Sequence, residues 1–256
     1  MTIHAAAERL RQATLTTTPC EPVRDLIGRD DVSTAYAVQK VIVDERLAAG
    51  GRVVGRKIGL TSPAVQQQLG VDRPDFGVLF ADMEVANGGV VGAGVLLQPK
   101  IEAEVAFVLG RDLDGLIDDT TVRDAVEFVV PALEIVDSRI AGWDISFGDT
   151  VADNASSGLF VLGDARATLG EVEPIDVQMS LRLDGETASE GSGKACLGDP
   201  LLALAWLART ARELGEPLRA GQVILSGALG PMVAVTSGAR VEAELSGLGR
   251  VAVSFS

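Results

Sequence analysis

The stretch Pro99-Lys100-Ile101-Glu102-Ala103-Glu104-Val105-Ala106-Phe107-Val108-Leu109 alternates along its length. In a strand, side chains two apart share a face. Ile101, Ala103, Val105 and Phe107 therefore line one side, and Glu102 and Glu104 stand together on the other. Together with Glu134 in the apolar run at 129–136, these strand carboxylates need a counter-charge.

The same texture continues outward. From Val53, short apolar runs are broken by Gly, Pro and Asp: VVGRKIGL at 53–60, DFGVLF at 75–80, VVPALEIV at 129–136, VQMSLRLDG at 177–185, QVILSGALG at 222–230 and ARVEAELSGLGRVAVSF at 239–255. This spacing predicts a mixed or antiparallel β-rich fold rather than alternating βαβ units. Two helices interrupt it. One is expected from Thr120 to about Phe128; the stronger one opens at Asp199-Pro200, where Asp caps and Pro fits the first turn before LLALAWLARTARELG. Before Val53 the chain reads as helical, first around Ala6 to Ala13, then from Ser33 or Thr34 through Tyr36, Val38, Val41, Ile42 and Leu47 to the Gly50-Gly51 pair. The fold class is α+β, with residues 1–50 as an N-terminal helical segment and 51–256 as the main domain.

Composition narrows the function classes. The 256 residues are 47% hydrophobic, enough for one large core. A net charge of −14, from 36 acidic against 22 basic residues with no Lys/Arg-rich run, argues against nucleic acid as a partner. The same charge repels a small anion at long range, so a carboxylate substrate needs a local cation or a bound metal. Cys20 and Cys196 have neither disulfide nor thiolate-zinc spacing, which fits a reducing cytoplasm. No apolar run reaches the ~18 residues of a membrane span, and the amphipathic start does not read as an export signal; a cytoplasmic protein without a membrane partner is expected.

Glu134 lies inside the apolar run VVPALEIV, where a carboxylate is disfavoured unless paired, protonated or metal-bound. With Glu102 and Glu104 it makes an all-oxygen set suited to Mg²⁺ or Mn²⁺, leaving coordination positions that a 2-oxo or 2-hydroxy acid fills by chelation. An isolated Glu-x-Glu is more often an exposed strand face, and Glu134 alone is equally a partner for Lys or Arg. The sole histidine, His4, reads as a solvated helix residue, so triads and His-zinc sites have nothing to build on. Acid–base work falls to other groups. Lys57, next to Gly59, is a candidate proton handler or carboxylate binder, or else a partner of a buried Glu; Arg56 beside it is expected to point outward. Asp75 and Asp153-Asn154 sit at turns beside apolar strands, where loops present catalytic groups or simply form Asx turns. Ser226-Gly227 offers backbone N–H groups at a strand end, for an oxyanion or carboxylate.

Together GRKIGLTS at 55–62, PDFGVLFADM at 74–83, PKIEAEVAFVLG at 99–110, PALEIVDSRI at 131–140 and VADNASSGLFVLG at 151–163, in this order and spacing, resemble the 2-hydroxypenta-2,4-dienoate (2-oxopent-4-enoate) hydratase branch of the fumarylacetoacetase superfamily. The resemblance implies a mixed β-sandwich roll with flanking helices and a homo-oligomer. It also implies a divalent metal on Glu102, Glu104 and Glu134, catalytic Lys57 and Asp75, and a substrate pocket lined by Asp153, Asn154, Ser156, Ser157, Ser226 and Gly227. The activity it implies is addition of water to a 2-hydroxydienoate, giving a 4-hydroxy-2-oxo acid in meta-cleavage catabolism of aromatic or steroid rings. Association with a sister decarboxylase or a downstream aldolase is implied as well.

The nearest rival is a 4-oxalocrotonate (2-oxo-3-hexenedioate) decarboxylase using the same three acids to stabilise an enolate; the NASSG run at 154–158 leans toward the hydratase. A C–C hydrolase would be expected to bring a His-Glu pair, which this chain lacks. A non-catalytic binding or assembly partner is the reading from another class, and the intact acidic triplet speaks against it.

Overall fold

The computed structural model describes residues 2–62, 66 and 73–256. Three helices come first: α1 (Thr2–Thr16), the short α2 (Arg24–Ile27) and α3 (Val32–Ala48). Asp31 caps α3 by accepting from Thr34 N at 3.0 Å. Strands β1 (Val53–Gly59), β2 (Asp75–Phe80), β3 (Glu84–Val85), β4 (Val90–Val91) and β5 (Pro99–Leu109) follow, then α4 (Asp119–Ala125), β6 (Val126–Asp137), α5 (Phe147–Ala152) and β7 (Ser157–Leu162). The last part holds β8 (Gln178–Leu183), β9 (Glu186–Ser192), α6 (Pro200–Glu213), β10 (Val223–Leu225), β11 (Val233–Ala234), β12 (Arg240–Leu245) and β13 (Gly249–Phe255).

The strands form two mixed sheets, as the β-rich texture predicts. The larger runs β2-β1-β10-β5-β6-β7-β3 with β11 added to β5, and the smaller runs β4-β13-β12-β8-β9. The apolar row of β5, Ile101, Ala103, Val105 and Phe107, enters the main core with Leu133 and Ile135 of β6, Leu181, Val241 and Val253 of the smaller sheet, and Leu204 and Leu207 of α6. The opposite face of the larger sheet has its own apolar cluster, including Ala106, Val130, Ala132, Phe160 and Leu225, closed by Val43 of α3. Coverage reaches the end strand as well: Phe76 of β2 enters the main core and Val78, Leu79 and Phe80 the second cluster, so β2 is buried along its length although it ends the strand order.

A third cluster ties the N-terminal helices to the rest: Ala6, Leu10, Ala35 and Val38 pack with Ile140 and with Phe147, Val151 and Ala152 of α5. Polar bonds fix the same junction. Arg24 reaches buried Asp149 through its backbone N at 2.8 Å and its Nη1 at 3.0 Å. Gln39 of α3 donates to Phe76 O at 2.9 Å and Val151 O at 3.0 Å, joining β2 to α5.

Two expectations need correction. The helix expected over Thr120 to about Phe128 ends at Ala125, because Val126 already pairs with Leu109 in the β5–β6 ladder. Arg56 does not point outward. It is 6% exposed, packs over Phe76 and bonds Glu216 Oε2 at 3.0 Å, since β1 lies inside the sheet with both faces covered.

Candidate active site

Register places the acids. Glu102 of β5 is the direct partner of Glu134 of β6, and Glu104 pairs with Ala132 one step along the same face. On that face Lys57 aligns with Leu225 and Gly77, and Asp75 with Gly59. One carboxylate oxygen from each of Glu102, Glu104 and Glu134 lies within 4.8 Å of the others. Lys57 Nζ is 2.9 Å from Glu134 Oε1, and both side chains are nearly inaccessible. Glycine at 59 leaves room here: a Cβ there would overlap Asp75 Oδ1 and stand 3.4 Å from Lys57 Nζ.

Among the described residues, buried Glu102, Glu104, Glu134 and Asp75 gather about the Lys57 ammonium and leave a surplus of negative charge. Burial, with repulsion from Glu134, pushes the Glu102 carboxyl up to about 7. Glu104 is raised well above the ordinary range by burial and by its neighbours Glu134 and Glu102, against the hydrogen bond from Gly227. Burial lifts Asp75 to about 6, with Lys57 opposing. Burial works against the Lys57 ammonium, but attraction to Glu134, Asp75 and Glu102 outweighs it and the pKa is raised.

Unsatisfied atoms collect at this spot. Among the described residues Glu104 Oε1, Glu134 Oε2, Asp75 Oδ1 and Ser157 Oγ are buried without a hydrogen-bond partner. Such atoms cost roughly 1–3 kcal/mol each, and orphaned acceptors at a cluster of acids fit a hard, oxygen-ligated cation.

The loops close on the acids from two sides. Gly227 N donates to Glu104 Oε2 at 2.7 Å, so this backbone N–H is taken by the protein's own carboxylate; φ of +108° and the Thr61 side chain, which fills the place a Cβ would take, explain the glycine. Ser226 is buried, its carbonyl accepting from the Cys196 thiol at 2.9 Å. On the other side Asp153 pairs with Arg139, and the Asn154 amide accepts from Val78 N at 2.8 Å and donates to Val78 O at 3.0 Å. Ser156 Oγ approaches Asp153 Oδ2 at 3.3 Å, and Ser157 Oγ stands beside Gly77, 2.8 Å from where a Cβ would be. Sequence reasoning missed Thr150 and Arg139, which join these groups. The signal for Thr150 was the Ser146/Asp149 capping pattern that starts α5; Arg139 carried none, because its partner lies fourteen residues away. His4 is exposed on α1, outside this space.

The fumarylacetoacetate (FAA) hydrolase C-terminal model matches residues 55–255. The chain belongs to that family. Within it, the 2-keto-4-pentenoate hydratase of Paraburkholderia xenovorans (strain LB400) is 53% identical over 253 residues, 98% of this chain and 93% of its own. The 2-keto-4-pentenoate hydratase 2 of Dechloromonas aromatica (strain RCB) is 52% identical, covering 100% of this chain and 98% of its own. A solved 4-oxalocrotonate decarboxylase from Pseudomonas putida G7, complexed with magnesium and adipate, superposes with a TM-score of 0.95 at 35% identity, covering 99% of this chain and 97% of that one. Membership thus lies in the hydratase branch of the FAA hydrolase family, a group of hydro-lyases. Among the described residues no helix is long and apolar enough to cross a membrane.

Proposed function

We propose that the carboxylates of Glu102, Glu104 and Glu134 hold one divalent cation, Mg²⁺ or Mn²⁺, and that the chain adds water to 2-hydroxypenta-2,4-dienoate or a substituted 2-hydroxydienoate. The observation that carries this is the meeting of three buried carboxylates within 4.8 Å, with oxygens of Glu104 and Glu134 left unpartnered. When bound, such a cation polarises the oxygens of a 2-oxo acid and cancels the repulsion that a carboxylate substrate would meet.

The chain's own groups handle protons. The dienol becomes a 2-oxo-3-enoate when its hydroxyl proton leaves and a proton is delivered to C5. Water then adds with its oxygen on C4 and a proton on C3, giving 4-hydroxy-2-oxopentanoate. Asp75, with a carboxyl near 6 and Oδ1 free, suits proton exchange near neutrality, and the Lys57 ammonium beside it supplies the companion group. The turn at 153–157 and the Ser226-Gly227 loop line the pocket, with the Ser156 and Ser157 hydroxyls as polar contacts and Asp153 and Asn154 shaping the turn. We also infer a homo-oligomer, open to association with the sister decarboxylase or a downstream aldolase, which sedimentation with and without those proteins tests.

The experiment is loss of absorbance of freshly generated 2-hydroxypenta-2,4-dienoate with purified protein, with Mg²⁺, with Mn²⁺ and after chelation, followed by product identification. Metal-dependent formation of 4-hydroxy-2-oxopentanoate is expected. No conversion, with CO₂ released from 2-oxohex-3-enedioate instead, would move the chain to the decarboxylase reaction.

A further inference from the structure

Asn154, Ala155 and Ser156 follow one another with φ of 56°, 52° and 52°. None is glycine, and each such residue costs about 1–2 kcal/mol, so the run persists only where its surroundings hold it. They do so from two directions. The Asn154 amide grips Val78 at both backbone atoms. Arg139 closes the base of the turn: Nη1 donates to Ser157 O at 2.6 Å, Nη2 to Asp153 O, and Nε to the Asp153 carboxylate, which also accepts from Arg139 N at 3.1 Å.

A turn held this rigidly fixes the Ser156 hydroxyl. Its Oγ lies 3.3 Å from Asp153 Oδ2 and 3.4 Å from Thr150 Oγ1, and Thr150 Oγ1 lies 3.4 Å from Asp75 Oδ2. Every member is buried, so no solvent competes for these contacts. Their length means that they orient more than they stabilise. Only Oδ2 of Asp75 is engaged; Oδ1 has no partner among the described residues and lies on the Gly59 side, where Lys57 Nζ stands.

We propose that Thr150 is a positioning residue for Asp75: its hydroxyl, backed by Ser156, Asp153 and Arg139, holds Oδ2 and leaves Oδ1 turned toward Lys57 for proton exchange with the substrate. Proton bookkeeping fits both states of the acid. With Asp75 ionised, Thr150 donates to Oδ2 and Ser156 donates to Asp153. With Oδ1 protonated, Thr150 still donates to Oδ2 and Ser156 to Asp153, whose charge Arg139 balances. The proton that separates the two states passes between Oδ1 and the substrate, and no heavy atom of the turn has to move. The inference rests on the reading of Asp75 as a proton handler.

The test compares Thr150→Val, which keeps the shape and removes the hydroxyl, with Thr150→Ser, which restores it, in the full chain with Mn²⁺, and adds Asp75→Asn in parallel. Expected are a fall in kcat of about tenfold or more for Thr150→Val, KM and calorimetric Mn²⁺ affinity within twofold of the parent, and recovery of at least half the turnover in Thr150→Ser. Parental kcat in Thr150→Val, or equal impairment of the Val and Ser variants, overturns the proposal. If Thr150→Val does not fold, Thr150→Ala removes the same hydroxyl without adding an apolar branch, and the Ser-against-Ala comparison decides. Parental turnover in Asp75→Asn overturns the reading of Asp75 itself; an inactive Asp75→Asn beside a fully active Thr150→Val overturns this inference alone.

Discussion

Glu102 and Glu134 are direct register partners on adjacent antiparallel strands, side by side on one buried face. Like charges directly opposite one another destabilise a sheet, and burial adds to the cost. A pair in this arrangement is stable only with protons or a cation between its members. Glu104, one step along the face, completes the set, and its hydrogen bond from Gly227 ties the set to the β10–β11 loop.

Removing one member should therefore separate stability from function. Glu104→Gln is expected to raise the stability of the metal-free protein by on the order of 1 kcal/mol, measured by urea unfolding. The same change should weaken Mn²⁺ binding about a hundredfold or more, since even partners outside the ligand set are worth 10–100-fold. Glu134→Ala should likewise abolish turnover. Full turnover in both Glu104→Ala and Glu134→Ala would refute the assignment of these acids.

Stability of the metal-free protein should fall as pH rises. Glu102 near 7, Asp75 near 6 and the raised Glu104 bind protons in the folded chain that the unfolded chain has already lost. Their favourable contribution is complete below the unfolded carboxyl range and disappears as pH passes through those folded values. Tm without metal is thus expected to decline between about pH 5.5 and 8, while the Tm gain from saturating Mg²⁺ should grow over the same interval as protons leave the ligands. A metal-free Tm that rises steadily across that window would contradict the cluster's electrostatics.

The Lys57 ammonium is set against these acids, 2.9 Å from Glu134. Breaking a buried pair by removing one partner costs about 3–5 kcal/mol. Lys57→Met should lose stability on that scale without metal, recover part of it with Mn²⁺, and remain inactive in both conditions. Turnover by a metal-loaded Lys57→Met would remove Lys57 from the chemistry.

The strand pattern of PKIEAEVAFVL was legible because period two needs no knowledge of the neighbours; it correctly put Glu102 and Glu104 on one face. The caps were legible for the same reason: Asp199 accepts from Leu201 N at 2.9 Å, as its place before Pro200 predicts. What escaped depended on partners distant in sequence. Burial of Arg56 required knowing that β1 lies between β2 and β10. That Asp153 serves Arg139 and Asn154 serves Val78 required the turn, and its three left-handed residues contradict local propensity. Such conflicts mark the places where tertiary contacts overrule the chain's own preferences.

Two glycines of β1 give a final contrast. A Cβ on Gly55 would fall well inside contact with the Val223 backbone, which cannot yield without parting β1 from β10. A Cβ on Gly59 would instead meet the carboxylate of Asp75 and, 3.4 Å away, the Lys57 ammonium, both of them ends of side chains that can swing aside. Gly55→Ala should therefore lower Tm severely or prevent folding. Gly59→Ala should fold with a smaller loss of Tm than Gly55→Ala and keep most of its Mn²⁺ affinity, because no glutamate is among the three atoms nearest the new methyl. Its turnover should nonetheless drop by about a hundredfold, since general acid–base groups moved off their line lose about 10²–10⁴ in rate. Calorimetry, Mn²⁺ titration and the dienoate assay on both variants check this, and a fully active Gly59→Ala would show that the space between Asp75 and Lys57 is not where protons move.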